Sequence, residues 1–210
     1  MKENKFIKIE LLFSLLCWIT IITQFVVMIE NSIASLTETT IRFFTFFTIL
    51  SNILVAFVFT AILAQPKGNF SFFLNPINQS AIAVYIFVVG IVYNLILRFL
   101  WQPQGIQRIV DEMLHSIIPI YYILYWYFKI NTKSILWKNS INWLIYPIVY
   151  LIVIMIRGKF SNYYPYPFVN VTALGINKVL LNVILLTLFF GVVAMTFIAI
   201  AKFKNKRIDL

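Results

Sequence analysis

Apolar residues in this chain come in long runs, and polar positions interrupt them only briefly. Six runs approach the twenty or so residues that an α-helix needs to cross about 30 Å of hydrocarbon at 1.5 Å per residue. They fall near residues 8–29, 41–64, 79–101, 111–130, 139–156 and 175–201. The pattern predicts an all-α fold, a polytopic membrane bundle of six transmembrane helices forming one domain over 1–210. The first run continues from Leu11 to Ile29 without a small-residue cleavage pattern, so it reads as a retained span rather than a signal peptide. The stretches between runs reach at most 18 residues, over 157–174, too short for an independent soluble domain.

Composition agrees with the pattern. Of the 210 residues, 61% are hydrophobic and 11% charged, whereas a soluble domain carries about 25% charge. The net charge of +10 does not indicate a nucleic-acid partner, because the basic residues are spread over short loops and tails instead of one folded face. They report orientation instead, since short cytoplasmic loops retain Lys and Arg. With the N-terminus inside, one side holds 11 of the 17 basic residues, among them Lys2, Lys5, Lys8, Lys67, Lys129, Lys133, Lys138, Lys202 and Arg207. The other side holds 6: Arg42, Arg98, Arg108, Arg157, Lys159 and Lys178. Both termini are therefore expected in the cytoplasm, in a multi-pass protein of the cell membrane. The segment Tyr163 to Phe168 reads as an interfacial aromatic belt on the outer side, or as a lid.

Polar residues at membrane depth are costly and face a bundle interior or a water cavity. His115, the single histidine, lies about four residues inside the fourth run, and Thr45 lies about four residues inside the second, roughly 6 Å down in each case. The two share a depth on the outer side. Asp111 precedes His115 by four residues, so it can share a helical face and orient the imidazole. Arg98 near the outer end of the third run and Asn94 one turn below it share a face as well. Below Thr45, Thr48 and Asn52 continue one stripe at helical spacing. Arg157 closes the outer end of the fifth run. Asn94, Arg98 or Asn52 can supply a hydrogen-bond donor to an oxyanion, and Arg98 or Arg157 can hold a carboxylate. One His and the single Cys17, in different runs, do not furnish a zinc cluster, and no phosphate loop or serine elbow occurs. No metal or cofactor is expected.

Three segments carry a family resemblance. Arg42 to Asn52 (Arg42, Phe43, Phe44, Thr45, Phe46, Phe47, Thr48, Ile49, Leu50, Ser51, Asn52) and Leu114 to Pro119 (Leu114, His115, Ser116, Ile117, Ile118, Pro119) resemble the signatures of bacterial six-span proteins of the Pr-six-Pr family. Tyr164, Pro165, Tyr166, Pro167 and Phe168 resemble a third. That group is similar, more distantly, to the androgen-induced membrane protein family, whose members are threonine hydrolases of fatty acid esters of hydroxy fatty acids. The resemblance implies a catalytic pair at Thr45 and His115. Thr48, Ser51 and Asn52 follow the bacterial pattern, and Asn170 stands where that family commonly has an acidic residue.

A hydrolase of lipid-like fatty acyl esters is the leading expectation. A threonine hydroxyl is a weak nucleophile at neutral pH and needs a general base within about 3 Å, a role that a neutral imidazole fills. The candidate site is then Thr45 and His115 for chemistry, with Asn52, Asn94, Arg98, Asp111 and Arg157 for substrate, and membrane lipids or a fatty acyl ligand as partners. The alternative is a non-catalytic bundle that binds or transports a lipid or another amphipathic small molecule.

Overall fold

The computed structural model describes the backbone of residues 2–100 and 102–208 and the side chains of residues 9–100 and 102–206. The side chains of Lys2, Lys5, Lys8 and Arg207, which enter the orientation count, lie outside the described residues, as does Trp101 at the end of the third run. Among the described residues the regular structure is entirely helical. In chain order the helices are α1 (Lys2–Glu30), α2 (Leu36–Phe43), α3 (Phe47–Ala64), α4 (Pro76–Leu95), α5 (Gly105–Glu112), a π turn (Met113–Ile117), α6 (Ile118–Lys129), α7 (Asn139–Ser161), α8 (Val171–Leu174) and α9 (Ile176–Ile208). Short 3-10 turns occupy Gly68–Leu74, Leu97–Phe99 and Pro167–Val169.

Among the described residues, five helices are long and apolar enough to cross a membrane: Ile9–Glu30, Phe47–Ala64, Pro76–Phe99, Asn139–Ser161 and Ile176–Lys206. The fourth expected run is helical too, but it is divided into α5, the π turn and α6. The second run departs further. Instead of one helix from residue 41, the chain forms α2, breaks over Phe44 to Phe46, and starts α3 at Phe47. In the break, the amides of Thr45 and Phe46 reach back only three residues, to Arg42 (3.0 Å) and Phe43 (3.4 Å). Phe46 is then extended, with φ −80° and ψ 122°. Thr45 therefore sits in a tight turn rather than a turn deep inside a continuous helix. At the start of α2, the Ser35 hydroxyl caps the amide of Glu38 at 3.3 Å.

The chain divides into two compact units, residues 1–132 and 133–210, where the run pattern reads as a single domain. In the first unit α3 is central, packed against α1, α4 and the π turn, while α4 also packs on α6. Val55, Ala56, Val58 and Phe59 of α3 are wholly buried, as is Ile86 of α4. Among the buried polar side chains of this unit are Thr48, Ser51 and Asn52 in the first half of α3 and Asp111 and His115 at the π turn. In the second unit α7 packs on α9. The aromatic segment folds back on this unit: Gly158 leaves room for the Tyr164 ring, which a Cβ there would overlap. Tyr166 and Phe168 stack with centroids 5.2 Å apart, and Asn182 Nδ2 donates to the Phe168 carbonyl at 2.8 Å.

Candidate active site

The π turn is a consequence of local sequence. Pro119 has no N–H, so it cannot bond the carbonyl of His115 four residues earlier, and its ring crowds that carbonyl. The helix widens just upstream: the Ile118 amide donates to Met113, five residues back, instead of to Leu114. Two successive carbonyls, Leu114 and His115, thereby lose the donors that an α-helix would give them. A buried carbonyl left alone costs about 1–3 kcal/mol, and two asparagines from neighbouring helices meet these. Asn52 Nδ2, on α3, donates to Leu114 at 3.2 Å and to Thr48 in its own helix at 2.8 Å. Asn94 Nδ2, on α4, donates to His115 at 3.2 Å and to Gly90 at 2.8 Å. Gly90 makes the approach of α4 feasible, because a Cβ there would sit 3.3 Å from the His115 oxygen and 3.4 Å from Pro119 Cβ.

Held in this way, the His115 side chain points into the first unit. Its Nδ1 lies 2.9 Å from the Asp111 carbonyl and 3.3 Å from the Asp111 carboxylate. Both partners are acceptors, so their placement assigns the ring proton to Nδ1 and the lone pair to Nε2. Nε2 faces the Thr48 hydroxyl at 3.3 Å. Tyr93 lies flat on the imidazole, with centroids 3.8 Å apart and planes 14° apart, and its hydroxyl donates to the other Asp111 oxygen. Thr48, Asp111 and His115 are all buried, none more than 9% exposed. The result is a line of hydroxyl, imidazole and carboxylate shielded from bulk water, with the imidazole poised to accept a proton from the hydroxyl.

Around this line lies a second polar network. Arg98 grips Glu112 with both terminal nitrogens, the Nη2 bond to Oε2 measuring 2.7 Å. Its Nε donates to Asn94 Oδ1 at 3.0 Å, and its Nη2 also reaches Ser116 at 3.2 Å. Arg98 thus fixes the amide whose other end supports the His115 carbonyl.

The structure brings together Asp111, His115, Asn94, Arg98 and Asn52, five of the seven residues expected at the site. It gives three of them different work. Asn52, Asn94 and Arg98 were candidates for donating to an oxyanion or a carboxylate, and their donors instead serve backbone carbonyls and Glu112. Thr45 donates its hydroxyl to the Arg42 carbonyl at 2.6 Å, which closes the turn before α3. The hydroxyl within reach of Nε2 belongs to Thr48, three residues on, in the first turn of α3. Arg157 lies in the second unit, its guanidinium 3.3 Å from Ser161 and over the Tyr163 ring at 5.3 Å.

Sequence reasoning passed over Tyr93, Gly90 and Glu112. One signal for the local geometry was available: a proline four residues after a histidine marks the carbonyl of that histidine as needing a partner. Among the described residues no group of three or more His, Cys, Asp or Glu side chains could hold a metal ion. No family model, curated protein or solved structure matches the chain.

Proposed function

We propose that the first unit is an intramembrane ester hydrolase in which Thr48 is the nucleophile, His115 the general base and Asp111 the group that orients the imidazole. One observation carries the reading: Thr48 Oγ1 stands 3.3 Å from His115 Nε2, while Nδ1 is held by Asp111. This is the nucleophile, base and orienting-acid arrangement that activates weak hydroxyls for acyl transfer. The burial of the three residues and the apolar runs around them suit a fatty acyl ester entering from the lipid phase. In this reading α5, the π turn and α6 together make the fourth of six spans, both termini are cytoplasmic, and the site lies nearer the outer leaflet of the cell membrane. The resemblance to the Pr-six-Pr and androgen-induced families supports the same chemistry but selects Thr45, one turn away.

The reaction has two halves. The Thr48 oxygen attacks the ester carbonyl as its proton passes to His115 Nε2. The carbonyl carbon–alkoxy bond then breaks, and His115 gives that proton to the departing alcohol. Water attacks the acyl-threonine, His115 takes the water proton and returns it to Thr48, and the fatty acid leaves.

The test is cleavage of a chromogenic long-chain acyl ester by protein purified in detergent, with peptide mass spectrometry for an acyl adduct. Thr48→Ala and His115→Ala are expected to abolish turnover and the adduct, whereas Thr45→Ala retains both if the turn before α3 refolds. An adduct on Thr45 that survives Thr48→Ala overturns the assignment of the nucleophile. Wild-type protein that releases bound lipid intact and never forms an adduct overturns the hydrolase reading in favour of a lipid-binding bundle.

A further inference from the structure

Hydroxyls on the helices of this protein have a common habit. Thr20, Thr40, Thr60, Ser80, Thr187 and Thr196 each donate to the carbonyl four residues earlier, at 2.7 to 2.9 Å, the usual way to satisfy a hydroxyl in an apolar helix. Ser51 breaks the habit. It lies within α3, is wholly buried, and its Oγ has no protein partner. The next residue, Asn52, is also wholly buried, and its Oδ1 has none either. The Asn52 amide cannot turn over to remedy this, because Nδ2 is held by two carbonyls that would repel an oxygen. Two adjacent buried oxygens, one an acceptor and one able to donate or accept, therefore lie three and four residues beyond Thr48. At that spacing each is a helical neighbour of Thr48, one on either side of it.

A buried water takes two to four polar partners and is found where otherwise unsatisfied groups converge. We infer that Ser51 Oγ and Asn52 Oδ1 seat one water molecule inside the first unit, and that this water serves the second half of the reaction proposed above. It donates one hydrogen to Asn52 Oδ1 and exchanges its second hydrogen bond with Ser51. When Thr48 carries an acyl group, the water moves about one helical turn toward the acyl carbon. Its oxygen then bonds that carbon, its proton goes to His115 Nε2, the bond to Thr48 Oγ1 breaks, and Nε2 returns the proton to that oxygen. The seat also accounts for a requirement of any hydrolase set in apolar surroundings, a store of water where bulk solvent does not reach. This role rests on the hydrolase reading; the seat itself does not.

Ser51→Ala separates the two, since it removes the hydroxyl and leaves the Asn52 bonds to Leu114 and Thr48 intact. If the serine holds water, the variant loses hydrogen bonds and melts lower, by a few degrees. If the hydroxyl is dry, removing an unsatisfied buried group raises the melting temperature, and the seat is overturned. In stopped-flow turnover of the same chromogenic ester, Ser51→Ala is expected to keep the rate of acyl-Thr48 formation. Breakdown of the adduct should slow by roughly fivefold, the loss of about one hydrogen bond. Unchanged breakdown beside a clear wild-type adduct overturns the supply of water. Absence of any wild-type adduct overturns the hydrolase reading and, with it, that supply role, while the melting temperature still decides whether the seat is wet.

Discussion

Two buried prolines inside helical segments, Pro119 in the first unit and Pro147 in the second, have different consequences. Around Pro119 the helix opens into a π turn, and asparagines from α3 and α4 take up the freed carbonyls. Around Pro147 the helix α7 runs without a break from Asn139 to Ser161. A proline removes one donor in either place, so the proline alone does not make a π turn. What differs is the company. The first unit buries Thr48, Ser51, Asn52, Asp111 and His115, whereas the buried polar residues described in the second unit are Asn139 and Ser140 at the start of α7. Polar side chains at the right height let the first unit keep a widened helix, and the widened helix aims the histidine.

The largest effect should come from the carboxylate behind His115. Asp111→Asn keeps the size of the side chain but replaces the carboxylate that, in the proposed reaction, faces the imidazole as it takes a proton. Ester cleavage should fall by about 10²–10⁴, the worth of a positioned acid–base pair, with the helical circular dichroism spectrum unchanged. A rate near that of the wild type would take Asp111 out of the chemistry and reduce it to a helix-packing group shared with Tyr93.

Exchanging each proline for alanine tests the comparison itself. Pro119→Ala returns an amide at the position where His115 lacks one and lets the segment relax to ordinary α spacing. That shift turns His115 away from Thr48, so turnover should drop by tenfold or more, on the order of 1.4 kcal/mol in the barrier, while the melting temperature holds or rises. Pro147→Ala should leave turnover alone. Equal effects of the two variants would mean that the π turn has no special part in placing the histidine.

A smaller and purely structural difference is expected at the asparagines. Asn94→Ala leaves the His115 carbonyl without its side-chain donor and releases Arg98, at a cost of about 1–3 kcal/mol. In the second unit the Asn139 Oδ1 accepts from the Leu136 amide at 2.7 Å and holds only the turn before α7. Asn139→Ala should cost about 1 kcal/mol, as loss of a local cap does. Melting curves by differential scanning fluorimetry in detergent decide the order, and a larger loss at Asn139 would reverse the contrast between the units.

Much of this was legible from residue pattern, and the exceptions have physical causes. The expected runs at 139–156 and 175–201 become α7 and α9 because nothing but their own apolar periodicity is needed to form them. The meeting of Asp111 with His115, and of Asn94 with Arg98, follows from i,i+4 spacing, which survives both the π turn and the 3-10 turn after α4. The break at Phe44 to Phe46 is hidden, since its phenylalanines read as one more turn of an apolar helix. That break decides which threonine meets the histidine. Counting depth from residue 41 favours Thr45, whereas a helix starting at Phe47 turns Thr48 toward Nε2. The bidentate pair of Arg98 and Glu112 joins α5 to the turn after α4 across a loop, so no single-helix spacing reveals it.

That pair supplies the mildest test. Both side chains are about a third exposed, at 36% and 34%, and solvent-screened pairs contribute about 1 kcal/mol or less. Arg98→Lys keeps the positive charge but loses the planar fork and the Nε bond that steadies Asn94 Oδ1. The melting temperature should therefore change little, by a degree or two. Turnover should fall by no more than about threefold, because Asn94 keeps its own bonds to Gly90 and His115. If Arg98 instead held the carboxylate of a substrate, Arg98→Lys would raise KM selectively for acyl esters bearing a free carboxylate and leave neutral esters unaffected. Comparing KM for one carboxylate-bearing ester and its methyl ester separates a supporting arginine from a binding one. The geometry, with both terminal nitrogens engaged by Glu112, favours equal and small effects on the two.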